Sequence, residues 1–268
     1  MFAAMIEARP ERAETEAEAW FGDRPVEPEA KAGLVRDVFE RVARRYDLMN
    51  DLMSAGVHRL WKRSLVEALR PQPGETFVDV AGGTGDIAFR ILDRLGGGAA
   101  AAASGARVMV CDLTPAMLAV GRDRAIDRGL LAGIDWIAAD AERLPIADFT
   151  ADAYVIAFGL RNVTHLDRAL AEARRVLKPG GRFFCLEFSR VVLPLLDRAY
   201  AAYSDALLPA LGRAVAGDEP AYRYLVESIR RFPPQAELLG RIERAGFRLA
   251  RCRNLSGGIA AIHSAWRI

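Results

Sequence analysis

The stretch FVDVAGGTGDIAF, Phe77–Phe89, gathers the residues best suited to hold a ligand. An apolar run enters Gly82, Gly83, Thr84 and Gly85, and a helical pattern begins at once. Glycines in such a turn let the main chain approach a bound molecule with no side chain between. A phosphate-cradling loop of the form G-x-x-x-x-G-K-[ST] needs a lysine here, and none follows the glycines. That chemistry is excluded. Gly83-Thr-Gly85-Asp-Ile-Ala88 does fit the dinucleotide pattern G-x-G-x-x-A, a weak signal when it stands alone.

A third ligand would use more of the chain. Asp79 stands just before the turn, where a carboxylate can position an ammonium group. Asp112 closes the next apolar run, placed to accept hydrogen bonds from two ribose hydroxyls. Asp140 closes the one after it, and with the N–H of Ala141 can meet an adenine edge. Ammonium, ribose and adenine occur together in S-adenosylmethionine. Asp112 would serve NAD equally well, so it does not discriminate. The Asp140–Ala141 pair, a helical segment ahead of the first strand and a final hairpin favour S-adenosylmethionine. Asp79 and Asp140 also have the plainer reading of a local cap and a turn residue.

The elements that would carry these residues follow from periodicity. Val35, Val38, Phe39, Val42 and Tyr46 recur at helical spacing, and a second helix runs from about Gly56 to Leu69, stopped by Pro71 and Pro73. Strands are predicted at Thr76–Ala81, Arg107–Asp112, Ile134–Asp140, Ala153–Phe158 and Arg182–Phe188. Helices are predicted at about Thr84–Leu95, Pro115–Arg128 and Leu166–Leu177. This alternation gives an α/β protein whose mostly parallel sheet is covered on both faces. LKPGG, ending at Gly181, reads as a helix stop and turn, and the Ala/Gly stretch Gly96–Ala106 as a loop. Val192, Leu196, Tyr200, Tyr203, Leu207 and Leu211 form one apolar helical stripe, with further helices at Tyr222–Arg231 and Ala236–Ala245. Ser256–Gly258 joins two last strands as a hairpin, which makes one of them antiparallel to the rest. Residues 1–30 show no sustained period and read as a mobile arm, with eight acids and three bases. The expected organisation is this arm and a single domain over residues 31–268, with a helical preface at 31–72 and a helical lid insertion at about 190–234.

Composition narrows the function class. The chain is 51% apolar and 27% charged, with no uninterrupted apolar run of about 18 residues to span a bilayer. A cytoplasmic protein is expected, since the N-terminus lacks a basic-then-apolar signal layout. Net charge is +2; residues 1–30 carry −5, so the remainder carries +7, nearly all of it arginine. Arginine without interleaved exposed aromatics does not predict nucleic-acid binding. Cys111, Cys185 and Cys252 show no C-x-x-C spacing, and the three histidines lie far apart, so no metal site is expected.

The chain resembles the class I methyltransferases, and within them the ubiquinone/menaquinone biosynthesis C-methyltransferase family. The resemblance rests on VFERVARRYDLMNDLMSAGVHRLWK (Val38–Lys62), DVAGGTGD (Asp79–Asp86), FGLRNV (Phe158–Val163), LKPGGRFFCLEFS (Leu177–Ser189), YRYLVESIRRFP (Tyr222–Pro233) and GGIAAIH (Gly257–His263). It implies a Rossmann-like seven-stranded sheet with an antiparallel final hairpin. It also implies methyl transfer from S-adenosylmethionine to a ring carbon of a polyprenylated benzoquinol or naphthoquinol. Cofactor contacts carry over onto Thr84, Asp112 and Asp140-Ala141. Relatives often have Asn at position 140, and often Ser where this chain has Ala157.

A ring carbon becomes nucleophilic when the hydroxyl ortho to it loses its proton, because the phenolate charge spreads into the ring. Arg161, in the loop after the fourth sheet strand, is placed to stabilise that charge or to pair structurally with an acid. His263 is the alternative base. By resemblance, Tyr46, Asn50, His58 and the Tyr222–Phe232 segment roof the substrate. The other functions considered are methylation of another small acceptor, and cofactor binding without catalysis. Expected partners are the polyprenyl quinol, met at the inner membrane surface or handed over by other quinone-biosynthesis enzymes; a homodimer is compatible.

Overall fold

A computed structural model describes residues 19–54, 56–191 and 219–268. A two-stranded hairpin, β1 (Ala19–Phe21) and β2 (Arg24–Val26), precedes helix α1 (Pro28–Val42). Helices α2 (Tyr46–Ser54) and α3 (His58–Leu69) follow. Strand and helix then alternate through β3 (Thr76–Val80), α4 (Asp86–Arg94), α5 (Gly98–Ala103), β4 (Arg107–Asp112) and α6 (Pro115–Asp127). The alternation continues with β5 (Ile134–Ala138), β6 (Ala151–Ala157), α7 (Leu166–Val176) and β7 (Leu177–Phe188). Past the undescribed stretch come α8 (Glu219–Arg231), α9 (Gln235–Arg244), β8 (Arg248–Leu255) and β9 (Ala260–Trp266).

Seven strands form one sheet in the order β5-β4-β3-β6-β7-β9-β8, parallel except for β9, which runs antiparallel to both neighbours. The chain winds outward from β3 to β5 and then returns to place β6 on the other side of β3. Ligands bind at such a reversal, outside the carboxyl ends of the strands. Strand residues alternate between two cores. Phe77, Val108 and Val110 face the layer of α1, α3, α4, α6 and α8, whereas Val78, Met109 and Cys111 face α7 and α9. Burial on both faces explains why these strands read as continuous apolar runs.

Several expectations need correction. The mobile arm does not extend to residue 30: residues 19–26 form the hairpin and Pro28 opens α1, held by contacts with the distant helix α8. The Ala/Gly stretch is not all loop. Its alanines form α5 with Ala101 fully buried, in keeping with alanine's helix preference. LKPGG is not a turn ahead of the strand, because Leu177 already pairs with Ala151 and a register shift follows before Arg182 pairs with Ala153. The apolar stripe Val192–Leu211, and with it most of the expected lid, lies outside the described residues.

Candidate active site

The turn after β3 is shaped by its glycines. Gly83 has φ +54° and Gly85 has φ +81°, left-handed values that other residues rarely adopt. A Cβ on Gly82 would lie 2.7 Å from Val110 Cγ1 and 2.9 Å from Asp79 Cγ, so this residue has no room for a side chain. The Gly82 N–H donates to the Cys111 carbonyl at 3.1 Å, and the Gly83 N–H donates to Asp112 Oδ2 at 2.9 Å. Asp112 Oδ1 accepts from the Thr114 N–H at 2.8 Å. Burial still pushes the Asp112 pKa up to about 6 against these bonds.

Asp79 is deeper, 1% exposed. Its Oδ2 accepts from the Ala88 N–H at 3.2 Å, while Oδ1 has no partner among the described residues. Burial pushes its pKa up to about 8. Beside it, buried Lys62 donates to Asp86 Oδ2 at 2.8 Å. Burial pushes Asp86 up, but Lys62 and Arg90 outweigh it and bring its pKa down to about 2.

The loops after β5 and β6 are clasped together. Asp140 Oδ1 accepts from the Glu142 N–H at 2.8 Å. Glu142 in turn accepts from the Thr164 N–H at 2.7 Å and the His165 N–H at 2.8 Å, and meets His165 Nδ1 at 2.8 Å. Helix α1 closes over them through buried Lys31, whose Nζ donates to the Val163 carbonyl at 2.7 Å.

These elements enclose a cavity of about 710 Å³, counting its open mouth. Its polar lining includes Gly83, Asp112, Asp140, Ala141 and Asn162. Its apolar lining includes Val35 and Phe39 of α1, with Tyr46 and Phe158. A hydrogen-bonding wall and an aromatic wall thus share one space.

The sequence model of the ubiE/COQ5 methyltransferase family matches residues 27–267. The chain belongs to the ubiE/COQ5 methyltransferase family. It is 53% identical over 250 residues to the ubiquinone/menaquinone biosynthesis C-methyltransferase UbiE of Brucella abortus (strain S19), covering 92% of this chain and 90% of that one. Identity to the protein of the same name from Brucella anthropi is 52%, with 92% of each chain covered. Among solved structures, a SAM-dependent methyltransferase from Thermotoga maritima superposes with a TM-score of 0.61 at 19% identity, covering 87% of this chain and all of that one. The [4+2]-cyclase SpnF superposes with a TM-score of 0.56 at 18% identity, covering 87% and 94%. The fold is therefore the α/β class I methyltransferase fold, with its antiparallel final hairpin.

The residues predicted from sequence fall in different places in this family member. Gly83, Asp112, Asp140, Ala141 and Tyr46 line the cavity. Asp79, Gly82, Thr84 and Gly85 build the turn behind it, and the Thr84 hydroxyl accepts from Arg124 Nη1 at 2.7 Å. Asn50 and His58 are buried outside the lining, with His58 Nε2 2.9 Å from Asp51 Oδ1. Tyr222 lies on α8, but its side chain is outside what is described.

Arg161 and His263 are not among the cavity residues. The Arg161 side chain is 1% exposed, and its Nη1 lies 3.0 and 3.1 Å from the two oxygens of Glu187, itself 1% exposed. Nη1 also donates to the Phe158 carbonyl at 2.5 Å, and the guanidinium lies over the Phe188 ring. The structural pairing is the one observed. His263 is buried on β9, its Nε2 3.2 Å from the Gln235 carbonyl oxygen, and burial lowers its pKa. Sequence reasoning missed Asn162, Glu142 and Lys31. Asn162 stands inside the FGLRNV block, next to the arginine that drew attention first. No group of three or more His, Cys, Asp or Glu side chains able to hold a metal ion occurs among the described residues.

Proposed function

We propose that the chain transfers a methyl group from S-adenosylmethionine to a ring carbon of a polyprenylated quinol, 2-methoxy-6-polyprenyl-1,4-benzoquinol or demethylmenaquinol, in ubiquinone or menaquinone biosynthesis. Family membership and the named relatives support the reaction class. One structural observation carries the reading. A single cavity joins Asp112 and Asp140, at the carboxyl ends of β4 and β5, to the apolar wall of Val35, Phe39, Tyr46 and Phe158. Fold likeness alone would not decide it, since a cyclase shares the architecture.

The residues present fit the cofactor. Asp79 has a buried carboxyl oxygen without a partner among the described residues, suited to an ammonium group. Gly82 and Gly83 leave no side chain over the turn, Asp112 suits a ribose diol, and Asp140 with Ala141 suits adenine. When bound, S-adenosylmethionine supplies an electrophilic methyl group on a sulfonium. The chain's own residues do the rest. The apolar wall excludes water and accepts an aromatic ring, so the two reactants meet in one orientation. Arg161 acts through the loop: by bonding the Phe158 carbonyl it holds Phe158 at φ +57°, a conformation costly for a non-glycine residue, and so shapes the wall up to Val163.

The quinol tail is insoluble, so the substrate is met at a bilayer surface or delivered by a partner enzyme. No helix among the described residues is long and apolar enough to cross a membrane. The test is product analysis with labelled cofactor and both quinols, kept reduced. A ring-methylated product from at least one supports the reading. No product from either, with tight cofactor binding retained, would leave a non-catalytic binder or a different acceptor.

A further inference from the structure

The hairpin β1–β2 makes a dense set of contacts to one helix, α8. The Phe21 ring stacks on Tyr224 with centroids 4.4 Å apart and planes 18° from parallel. The Arg231 guanidinium lies 3.6 Å from the centre of the Trp20 ring, and its Nε donates to Asp23 Oδ1 at 3.0 Å. The Asp23 N–H donates to Glu227 Oε2 at 3.1 Å. Gly22, at φ +61°, passes so close that a Cβ would meet the Glu227 carboxylate. The left-handed conformation favours glycine at this turn, and a side chain there would displace the Glu227 carboxylate from Asp23.

The far side of this contact reaches the cavity. Tyr224 is 3% exposed, and its hydroxyl donates to Asn162 Oδ1 at 2.9 Å. Asn162 lines the cavity. The bond takes one lone pair of the amide oxygen and sets which end of the amide faces Tyr224, leaving the two N–H donors free to meet an acceptor. The oxygen of a quinol hydroxyl accepts such a bond, and accepts it more strongly as the proton leaves and negative charge grows.

We propose that the hairpin Ala19–Val26 is a positioning element of the active site: Phe21 fixes Tyr224, and Tyr224 orients Asn162 as the donor to the quinol ring oxygen. The inference rests on the methyltransferase reading above and deepens it. Neither Phe21 nor Tyr224 is among the cavity-lining residues, so the relay runs through Asn162. Residues in contact couple in stability whatever their role, so the relay is read in kcat, where it requires the two losses to overlap.

The experiment is a kinetic cycle on the full chain, with cofactor affinity measured in parallel. Phe21→Leu keeps apolar volume but loses the stacked ring, and should lower kcat by about tenfold while the cofactor Kd is unchanged. Phe21→Tyr, which keeps the ring, should restore the rate. In a Tyr224→Phe background, Phe21→Leu should cost nothing further. Full additivity of the two losses, or wild-type kcat in Phe21→Leu, would overturn the proposal. Hydrogen exchange of the α8 amides supplies a readout that needs no substrate. It should quicken in Phe21→Leu, and unchanged protection would remove the strap itself. A wild type that methylates no quinol while the exchange result holds would defeat the functional reading and leave the strap standing.

Discussion

Replacing Arg161 with alanine should destabilise the protein before it does anything else. The change leaves Glu187 in a site where both side chains are 1% exposed, so solvent cannot take the place of the lost cation. Breaking a buried pair from one side costs about 3–5 kcal/mol, and the Phe158 carbonyl loses a donor worth about 1 kcal/mol more. Burial raises the Glu187 pKa in the folded state, with Arg161 holding it back. Without Arg161 the rise is larger. The folded variant then keeps a proton that the unfolded chain releases near the ordinary carboxylate value of about 4.3. The Glu187 contribution to stability is accordingly greatest in acid. It falls as pH climbs past that value, by about 1.4 kcal/mol per unit until the raised folded pKa is passed. Urea unfolding of wild type and Arg161→Ala at about pH 6 and about pH 8 should show a gap that widens at the higher pH. Arg161→Met combined with Glu187→Gln should recover most of the loss, because a neutral pair needs no counter-charge. If Arg161→Ala proved as stable as wild type at both pH values, the pairing would not exist in solution.

Asp112→Ala should weaken S-adenosylmethionine binding by about 1.5–3 kcal/mol in calorimetry, since charge-assisted bonds to the ribose are lost; unchanged affinity would remove the ribose assignment. Asp79, with its pKa near 8, is protonated in the free protein at neutral pH. An arriving ammonium group selects the carboxylate, so binding below about pH 8 should release a proton and weaken as pH falls. Titrations in buffers of different ionisation enthalpy read that proton, and a buffer-independent heat would contradict the pairing. His263→Asn should leave kcat near the wild-type value and cost about 1–3 kcal/mol of stability, because its Gln235 bond is structural. A large kcat loss in a stable variant would return His263 to the reaction.

The parts of this molecule that repeat along the chain were legible in its residues. Strands buried on both faces announce themselves as apolar runs, and Gly82, Gly83 and Gly85 mark the turn because their conformations and close contacts disfavour a side chain. Asp112 could be placed because it closes such a run, and Asp140 because it follows the largely apolar edge strand β5. What stayed hidden depends on partners far away in sequence. Asp23 meets Glu227 across 204 positions, so nothing local marks residues 19–26 as a hairpin. The environment of Arg161 is set by Glu187, 26 positions on, which turns a candidate charge stabiliser into half of a buried pair. His263 carries a side chain suited to catalysis, but the register of β9 places it opposite Cys185 and Cys252 and outside the cavity lining. The alanines of α5 were misread because composition was weighed ahead of helix propensity.

The position of β9 bears on how the chain can be assembled as it is made. This strand lies inside the sheet, between β7 and β8, yet it follows every other described element in sequence. Until it emerges, β7 presents a bare edge, and bare edges recruit other chains. The strands on the other side of β7 face no such wait. β3, β4, β5 and β6, whose ends carry Gly83, Asp112, Asp140 and the Phe158 loop, are complete well before synthesis reaches residue 260. Chains fold from the N-terminus during synthesis. The nascent protein therefore has the means to grip its cofactor while its sheet is still open, and an early grip would stabilise that half against the misassembly its unfinished edge invites.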